Sequence, residues 1–497
     1  MIETARPFIK RFKTKNSYYI YDVNTNRIIL VSSALYARLP RAKNDADLIS
    51  SKEKEQNSQD ILRPYSEIIE KYNLFSPSRP KARGFFAPPD ESQLREHYEL
   101  AGTEQLVLEM SQQCNLRCKY CIYSGKYRYQ RPHISHFMSL NTAKKAVDFY
   151  IDRYKGGTIV KSPNIGFYGG EPLMNMDVII DCIKYVRQRE RDINKKIGMR
   201  ICTNATLLNK GNISPFVDNE IDLQISIDGP EKEHDRNRIY RNGRGTFNKI
   251  IEFLEYVYAK YPIYYRQHLV FNCTVTPGSS LLELNNFFMN NQLVNQNIRL
   301  IGNLNTLDTS YLEECEYNYN QAYELKSLAK LYYESAHSAG RKKITFIDKE
   351  INKIYASLYK RPIYESGYDL FPIKGPCEAG IRKLFVTWDG TFYPCEKINP
   401  SFSIGSLSKG FEHGRIREFW IGFVKLLNDK ECLTCWAVRH CTNCFVTLGK
   451  DGYFSFSNKK EFCRTVKSNL IMAFKAFSAL LENKPPIEED WKNTLIV

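Results

Sequence analysis

No run of about 18 uncharged apolar residues occurs in the 497-residue chain, so no membrane-spanning helix is expected. The N-terminus, MIETARPFIKRFKTKN, lacks the unbroken apolar core of an export signal, which places the expected location in the cytoplasm. Glycine and proline are few, 26 and 21 residues without a period, and this excludes a collagen-like or low-complexity chain. No internal repeat of roughly 20 to 50 residues appears, and no aromatic RNA-recognition strand. What remains is a globular composition, 43% hydrophobic and 13% aromatic, with material for two or three cores.

Against those absences stand 14 cysteines and a formal charge of +16. In a reducing compartment clustered cysteines serve metal ligation or chemistry more often than disulfides. The basic balance, dense at residues 119–131 and 236–244, suits RNA, membrane head groups or an acidic peptide, or is simply a solvated surface.

Residues 18–23 and 27–31 read as two strands around an Asn-rich turn, followed by helical patterns near 33–39 and 65–72. A polar stretch at 44–59 separates those two helices, and 76–90, rich in proline and basic residues, reads as a linker. From 104 to 304 strand candidates at 105–109, 165–168, 199–202, 223–227, 269–275 and 298–301 alternate with helical segments such as 177–194. Six such βα units predict an α/β fold, a parallel sheet or partial (β/α)6 TIM-type barrel with its site at the C-terminal strand ends. Four units are expected: 1–90 as an N-terminal subdomain, 100–310 as the barrel, 311–370 as a helical bridge and 371–480 as a Cys-rich module.

Directly after the first strand, Cys114, Cys118 and Cys121 form C-x3-C-x2-C. Three thiolates from one loop can hold three irons of a [4Fe-4S] cube and leave the fourth open. A zinc site completed by a distant residue such as His133 or His136 is the alternative, since zinc asks for four ligands. The C-x3-C-x2-C loop, with Tyr120 before its third cysteine, resembles the signature of the radical S-adenosylmethionine (radical SAM) superfamily. That resemblance implies SAM on the open iron and its reductive cleavage to a 5′-deoxyadenosyl radical. Gly169, Gly170 and Glu171 are similar to the family's GGE motif. Thr203 and Asn204 close the third strand, and Ser226 and Asp228 close the fourth, where the family places polar groups against SAM. Arg238 is a candidate for the methionine carboxylate, or else a surface arginine.

Cys377, Cys395, Cys432, Cys435, Cys441, Cys444 and Cys463 resemble the SPASM extension of radical SAM enzymes that modify peptides and proteins, which holds two auxiliary [4Fe-4S] clusters. The resemblance assigns Cys432, Cys435, Cys441 and Cys463 to one cluster and Cys377, Cys395 and Cys444 to the other. One interval departs from the family pattern, because Cys441 and Cys444 are separated by two residues where three is more usual. A substrate thiolate is one candidate for the missing fourth ligand; structural or electron-relay clusters, or zinc, are the alternatives. Cys182, Cys202, Cys273 and Cys315 fit no cluster spacing, and Cys202 and Cys273 read as buried small hydrophobes.

Three clusters on a basic chain imply a polypeptide substrate. The N-terminal hairpin and helices resemble winged-helix domains that capture a leader peptide as an added strand. The expected enzyme is a radical SAM/SPASM peptide maturase of oxidoreductase type, forming a thioether or other cross-link in a ribosomally made, Cys-rich precursor. Its electron donor would be a reductase, flavodoxin or ferredoxin. An anaerobic sulfatase-maturating, formylglycine-generating enzyme is the alternative, and a zinc-containing RNA-binding protein a remote one. Neither a membrane nor a nucleic acid is an expected partner.

Overall fold

The computed structural model describes residues 7–39, 63–78, 90–156, 162–295, 298–303, 309–311, 356–365, 377–427, 430–441 and 443–482. The polar stretch 44–59, most of the linker, Cys315 and most of the helical bridge lie outside the described residues.

Two sheets organise the described residues. The first is antiparallel, β1 (Ile9–Lys13), β2 (Tyr18–Asp22) and β3 (Arg27–Val31), in that order. The hairpin expected at β2 and β3 is present. β1 is an addition: its sequence IKRFK reads as a basic run, yet Ile9 and Phe12 are buried beneath it. A helix, Ser33–Arg38, follows, capped by Ser32, whose side chain accepts the Leu35 N–H.

The second sheet has ten strands in the order β13-β12-β11-β10-β4-β5-β6-β7-β8-β9. Six are the consecutive parallel strands β4 (Gln105–Ser111), β5 (Asn164–Gly169), β6 (Gly198–Thr203), β7 (Asp222–Ser226), β8 (Leu269–Val275) and β9 (Ile298–Asn303). They match the six sequence candidates. β10 (Leu384–Val386) was not foreseen as a member: it lies parallel to β4, with Leu384 opposite Leu106. β11 (Thr391–Tyr393), β12 (Gly405–Ser406) and β13 (Gly410–Phe411) continue antiparallel from it.

Helices cover one face of this sheet because their apolar residues recur at helical spacing. In Met176–Ile193 the buried positions are Ile179, Cys182, Ile183 and Val186, one stripe of the helix. They join Ile165, Phe167, Met199, Ile201, Leu223 and Ile225 from the strands in a single core. The alternate strand residues, among them Glu109, Tyr168, Cys202, Gln224 and Asn272, point to the opposite face. A second core joins Phe8, Phe12, Tyr19 and Tyr21 of the N-terminal sheet to Phe419, Phe423, Trp436, Phe445 and Phe474, so the two ends of the chain are packed together.

Candidate active site

The C-terminal ends of β4 to β8 lie along one edge, as parallel pairing requires, and each contributes part of the candidate site. After β4 the chain turns sharply and carries Cys114, Cys118 and Cys121 on one loop. The Leu116 N–H lies 3.4 Å from Cys114 Sγ and the Tyr123 N–H 3.4 Å from Cys121 Sγ. Burial pushes the Cys114 thiol up, and the charges of Glu171, Cys118 and Cys121 push it further; burial also holds Cys118 up at about 12 against the opposing field of Arg238. Iron ligation therefore has to displace protons from three crowded thiols. Among the described residues no three Cys, His, Asp or Glu side chains converge on one metal-sized point. A cube does not need them to, because each thiolate binds a different iron.

The glycines of the second strand end are dictated by this loop. Gly169 has φ +141°, and a Cβ there would run into the Ser111 carbonyl; a Cβ on Gly170 would meet the Gln113 carbonyl. The backbones are zipped together instead, Gly170 N–H to Ser111 O at 2.7 Å and Glu171 N–H to Gln113 O at 2.9 Å. The missing side chains make room for the cysteine loop itself.

Glu171 is buried and accepts three hydrogen bonds. They come from Leu173 N–H (3.1 Å), Thr203 Oγ1 (2.7 Å) and Asn204 N–H (2.8 Å). Burial raises its carboxyl to about 7 even against these donors. Asn204 donates from Nδ2 to Asn115 Oδ1 (2.9 Å), and Asn115 donates to Thr206 Oγ1 (2.8 Å), which ties the cysteine loop to the end of β6. Asn115 and Thr206 escaped the sequence reading; position directly after a ligand cysteine is the only signal Asn115 offers.

Asp228, past β7, is the hub of a second cluster. Its Oδ2 accepts from Tyr120 Oη at 2.5 Å and from Arg238 Nε at 2.8 Å, while Oδ1 accepts the Thr274 N–H at 2.9 Å. The Arg238 guanidinium lies 5.4 Å from the Tyr120 ring centroid. Arg238 is thus a buried residue paired to a carboxylate of the chain itself. His234 supports the turn: its Nδ1 accepts the Asp228 N–H at 3.2 Å, and burial lowers its pKa to about 4, so the ring is neutral. Ser226 is half-buried at the end of β7, beside this hub.

The C-terminal cysteines fall into groups. Burial, then the thiols of Cys463, Cys435 and Cys432, hold Cys441 up at about 12; burial also raises Cys432, against Lys459 and with Cys463 and Cys435, and raises Cys463 together with Cys435. Cys444 feels the charge of Cys377. Cys395 lies beside Glu396 and its ion-pair partner Lys383, whose Nζ is 2.9 Å from Glu396 Oε2. A link to the first loop runs through Tyr123, which donates from Oη to the Glu396 carbonyl at 2.8 Å. Tyr123 also stacks under the Arg131 guanidinium, 3.7 Å away, while Arg131 pairs with the buried Glu109 at 2.5 Å.

Residues 108–287 match the family model described as the Radical SAM superfamily. A cysteine-type anaerobic sulfatase-maturating enzyme of Clostridium perfringens (strain 13 / Type A) is 24% identical over 354 residues, 68% of this chain and 86% of that one. The radical SAM cyclopropyl synthase TigE of Paramaledivibacter caminithermalis is 28% identical over 359 residues, 68% of this chain and 66% of that one. Among solved structures, native anSMEcpe with bound AdoMet and Cp18Cys peptide shares the fold at a TM-score of 0.55 and 22% identity, covering 76% of this chain and 98% of that one. The superfamily implies a [4Fe-4S] cluster and SAM, and three thiols on one loop above a glycine-lined strand end suit both. With its cysteine loop, its GGE turn and its matched segment at the same strand ends, the chain carries a radical SAM domain.

Proposed function

We propose that this radical SAM enzyme modifies a ribosomally made, Cys-rich precursor peptide by forming a thioether or other cross-link, with one SAM-binding and two auxiliary [4Fe-4S] clusters. Cys114, Cys118 and Cys121 would hold the first cluster; Cys432, Cys435, Cys441 and Cys463 a second; Cys377, Cys395 and Cys444 a third. When bound, cluster and SAM together supply one-electron cleavage of a sulfonium. The chain's part is to orient and to shelter. Gly169 and Gly170 let the loop seat on the sheet, Glu171 fixes the ends of β5 and β6, and the Tyr120–Asp228–Arg238 cluster closes the side toward β8.

The observation that carries the peptide reading is the edge of β3. Among the described residues it pairs only with β2, and Leu30 stands 64% exposed on it. The helix Ser66–Tyr72 adds exposed Ile68 and Tyr72, with the Arg27 guanidinium 5.1 Å from the Tyr72 ring. An open edge flanked by apolar and basic side chains suits an acidic leader peptide added as a fourth strand.

The second reading, formylglycine formation in a sulfatase, is favoured by the Clostridium relative and is supported about as well. The two separate by product. Reconstituted enzyme, SAM and dithionite are incubated with a Cys-rich peptide bearing an acidic leader, and separately with a Cys-containing sulfatase peptide. Mass loss of a hydrogen pair with a new link to a Cys sulfur supports cross-linking. An aldehyde trapped by hydrazine on the sulfatase peptide alone supports formylglycine and overturns the first reading. A flavodoxin or ferredoxin with its reductase would replace dithionite in the cell.

A further inference from the structure

An Asn-rich hairpin turn ordinarily faces water, because its backbone and side chains need partners. Here Asp22, Val23, Asn24, Thr25 and Asn26 are all at most 2% exposed. Asp22 folds the turn on itself, with Oδ1 accepting from Thr25 N–H (2.8 Å) and Oδ2 from Phe75 N–H (2.7 Å). Asn24 Nδ2 donates to the Ser76 carbonyl at 3.0 Å, Arg361 Nε donates to the Asn26 carbonyl at 2.8 Å, and two further backbone carbonyls face the C-terminal cysteine module. Arg439 donates from Nε to the Val23 carbonyl and from Nη2 to the Asn24 carbonyl at 2.6 Å. Asn26 Oδ1 lies 2.9 Å from His440 Nε2 and accepts from Tyr21 Oη at 2.8 Å, while its Nδ2 donates to the Pro362 carbonyl at 2.8 Å.

Arg439 and His440 sit in the single 3-10 turn Val438–His440, between Cys435 and Cys441. That loop has little structure of its own: its other helix is the four-residue Lys430–Leu433, too short to persist without tertiary support. The same hairpin also grips the helix Phe456–Glu482, which bears Cys463. Phe474, about three turns beyond Cys463 on one face, lies 4.8 Å from the Tyr21 ring, 5.7 Å from Phe12 and 5.5 Å from His440. At the helix end Glu482 Oε1 accepts from Tyr19 Oη (2.9 Å) and Thr14 Oγ1 (2.6 Å). One hairpin thus holds both elements that carry Cys435, Cys441 and Cys463, although it carries no cysteine.

We infer that the buried turn at residues 22–27 is a positioning element for the iron-sulfur ligands Cys435, Cys441 and Cys463, acting through Asn26 and Arg439. A cube closes only when thiolates from the loop and the helix meet at one spacing, and the hairpin fixes that spacing. The inference rests on the reading of these cysteines as cluster ligands. On this account the N-terminal sheet is part of the auxiliary-cluster site, and a peptide strand added at β3 lies beside the strand that leaves the clamp.

The test uses the full chain with Cys114, Cys118 and Cys121 replaced by Ala, so that only C-terminal clusters contribute. After anaerobic reconstitution this background is expected to hold about eight irons with matching sulfide. Asn26→Gly removes the side-chain contacts while suiting the backbone, since Asn26 has φ +60°. Arg439→Met removes the two carbonyl contacts. Each is expected to reduce iron to about four and to delete the same electron paramagnetic resonance signal that Cys435→Ser deletes, with the circular dichroism of the fold retained. If Arg439→Met does not fold, Asn26→Gly decides. Iron staying near eight with an unchanged spectrum in Asn26→Gly overturns the inference alone. A background chain that takes up no iron overturns the cluster reading and the inference together.

Discussion

Arg238 and Asp228 form a buried ion pair, Nε to Oδ2 at 2.8 Å, on the same oxygen that accepts the Tyr120 hydroxyl. The pair joins the cysteine loop to the ends of β7 and β8 without contributing a metal ligand. Asp228→Ala would leave a guanidinium buried without its partner, and a loss of about 3–5 kcal/mol is expected in denaturant unfolding. Asp228→Ala combined with Arg238→Met should be less damaging than the sum of the two single changes, and a cycle showing simple additivity would refute the coupling.

Gly170→Ala tests the seat of the cysteine loop. The new methyl group would collide with the Gln113 carbonyl, which is backbone and has no room to give. The expected result is loss of about four irons after reconstitution with the C-terminal iron retained. Full iron in this variant would show that the loop can shift without cost.

Glu171 supplies a pH dependence. Its carboxyl stands at about 7 in the folded chain against an ordinary 4.5, chiefly through burial, so between those values the folded state holds a proton that the unfolded state has released. Its contribution to stability is complete below pH 4.5 and is lost as pH rises through 7, with a slope of up to about 1.4 kcal/mol per pH unit. Thermal melts of the wild type relative to Glu171→Gln are expected to decline across that window; a flat difference would contradict the burial argument.

The triple replacement of Cys114, Cys118 and Cys121 by Ala is expected to abolish formation of 5′-deoxyadenosine from SAM and to lower bound iron by about four per chain. Product analysis by chromatography settles it: continued formation would disconnect the loop from SAM cleavage.

Much of the central sheet was legible because apolar runs with a strand period alternate with helical stripes, and six of its parallel strands fall where those runs occur. The strand-end motifs were legible for a chemical reason, since paired glycines and grouped cysteines have few other uses at such spacing. What stayed hidden depends on contacts between distant segments. Arg238 carries the charge of a ligand for an external carboxylate, and nothing local reveals that its Nε also meets Asp228. β1 is a basic run in sequence and a strand in space because Phe12 finds Tyr19 and Phe474. The turn at 22–27 has surface composition, and its burial depends on Arg439, which lies more than 400 residues away.

The parallel pairing of β10 with β4 sets an order of events during synthesis. β4 emerges from the ribosome roughly 280 residues before the strand that will flank it, which at 5–20 residues per second is a delay on the order of tens of seconds. Through that interval the apolar stretch Leu106, Val107 and Leu108 presents an unpaired edge, the kind of surface that recruits other chains. A nascent or truncated polypeptide ending before Leu384 is therefore a candidate for chaperone capture, because β10 is the strand that closes this edge of β4.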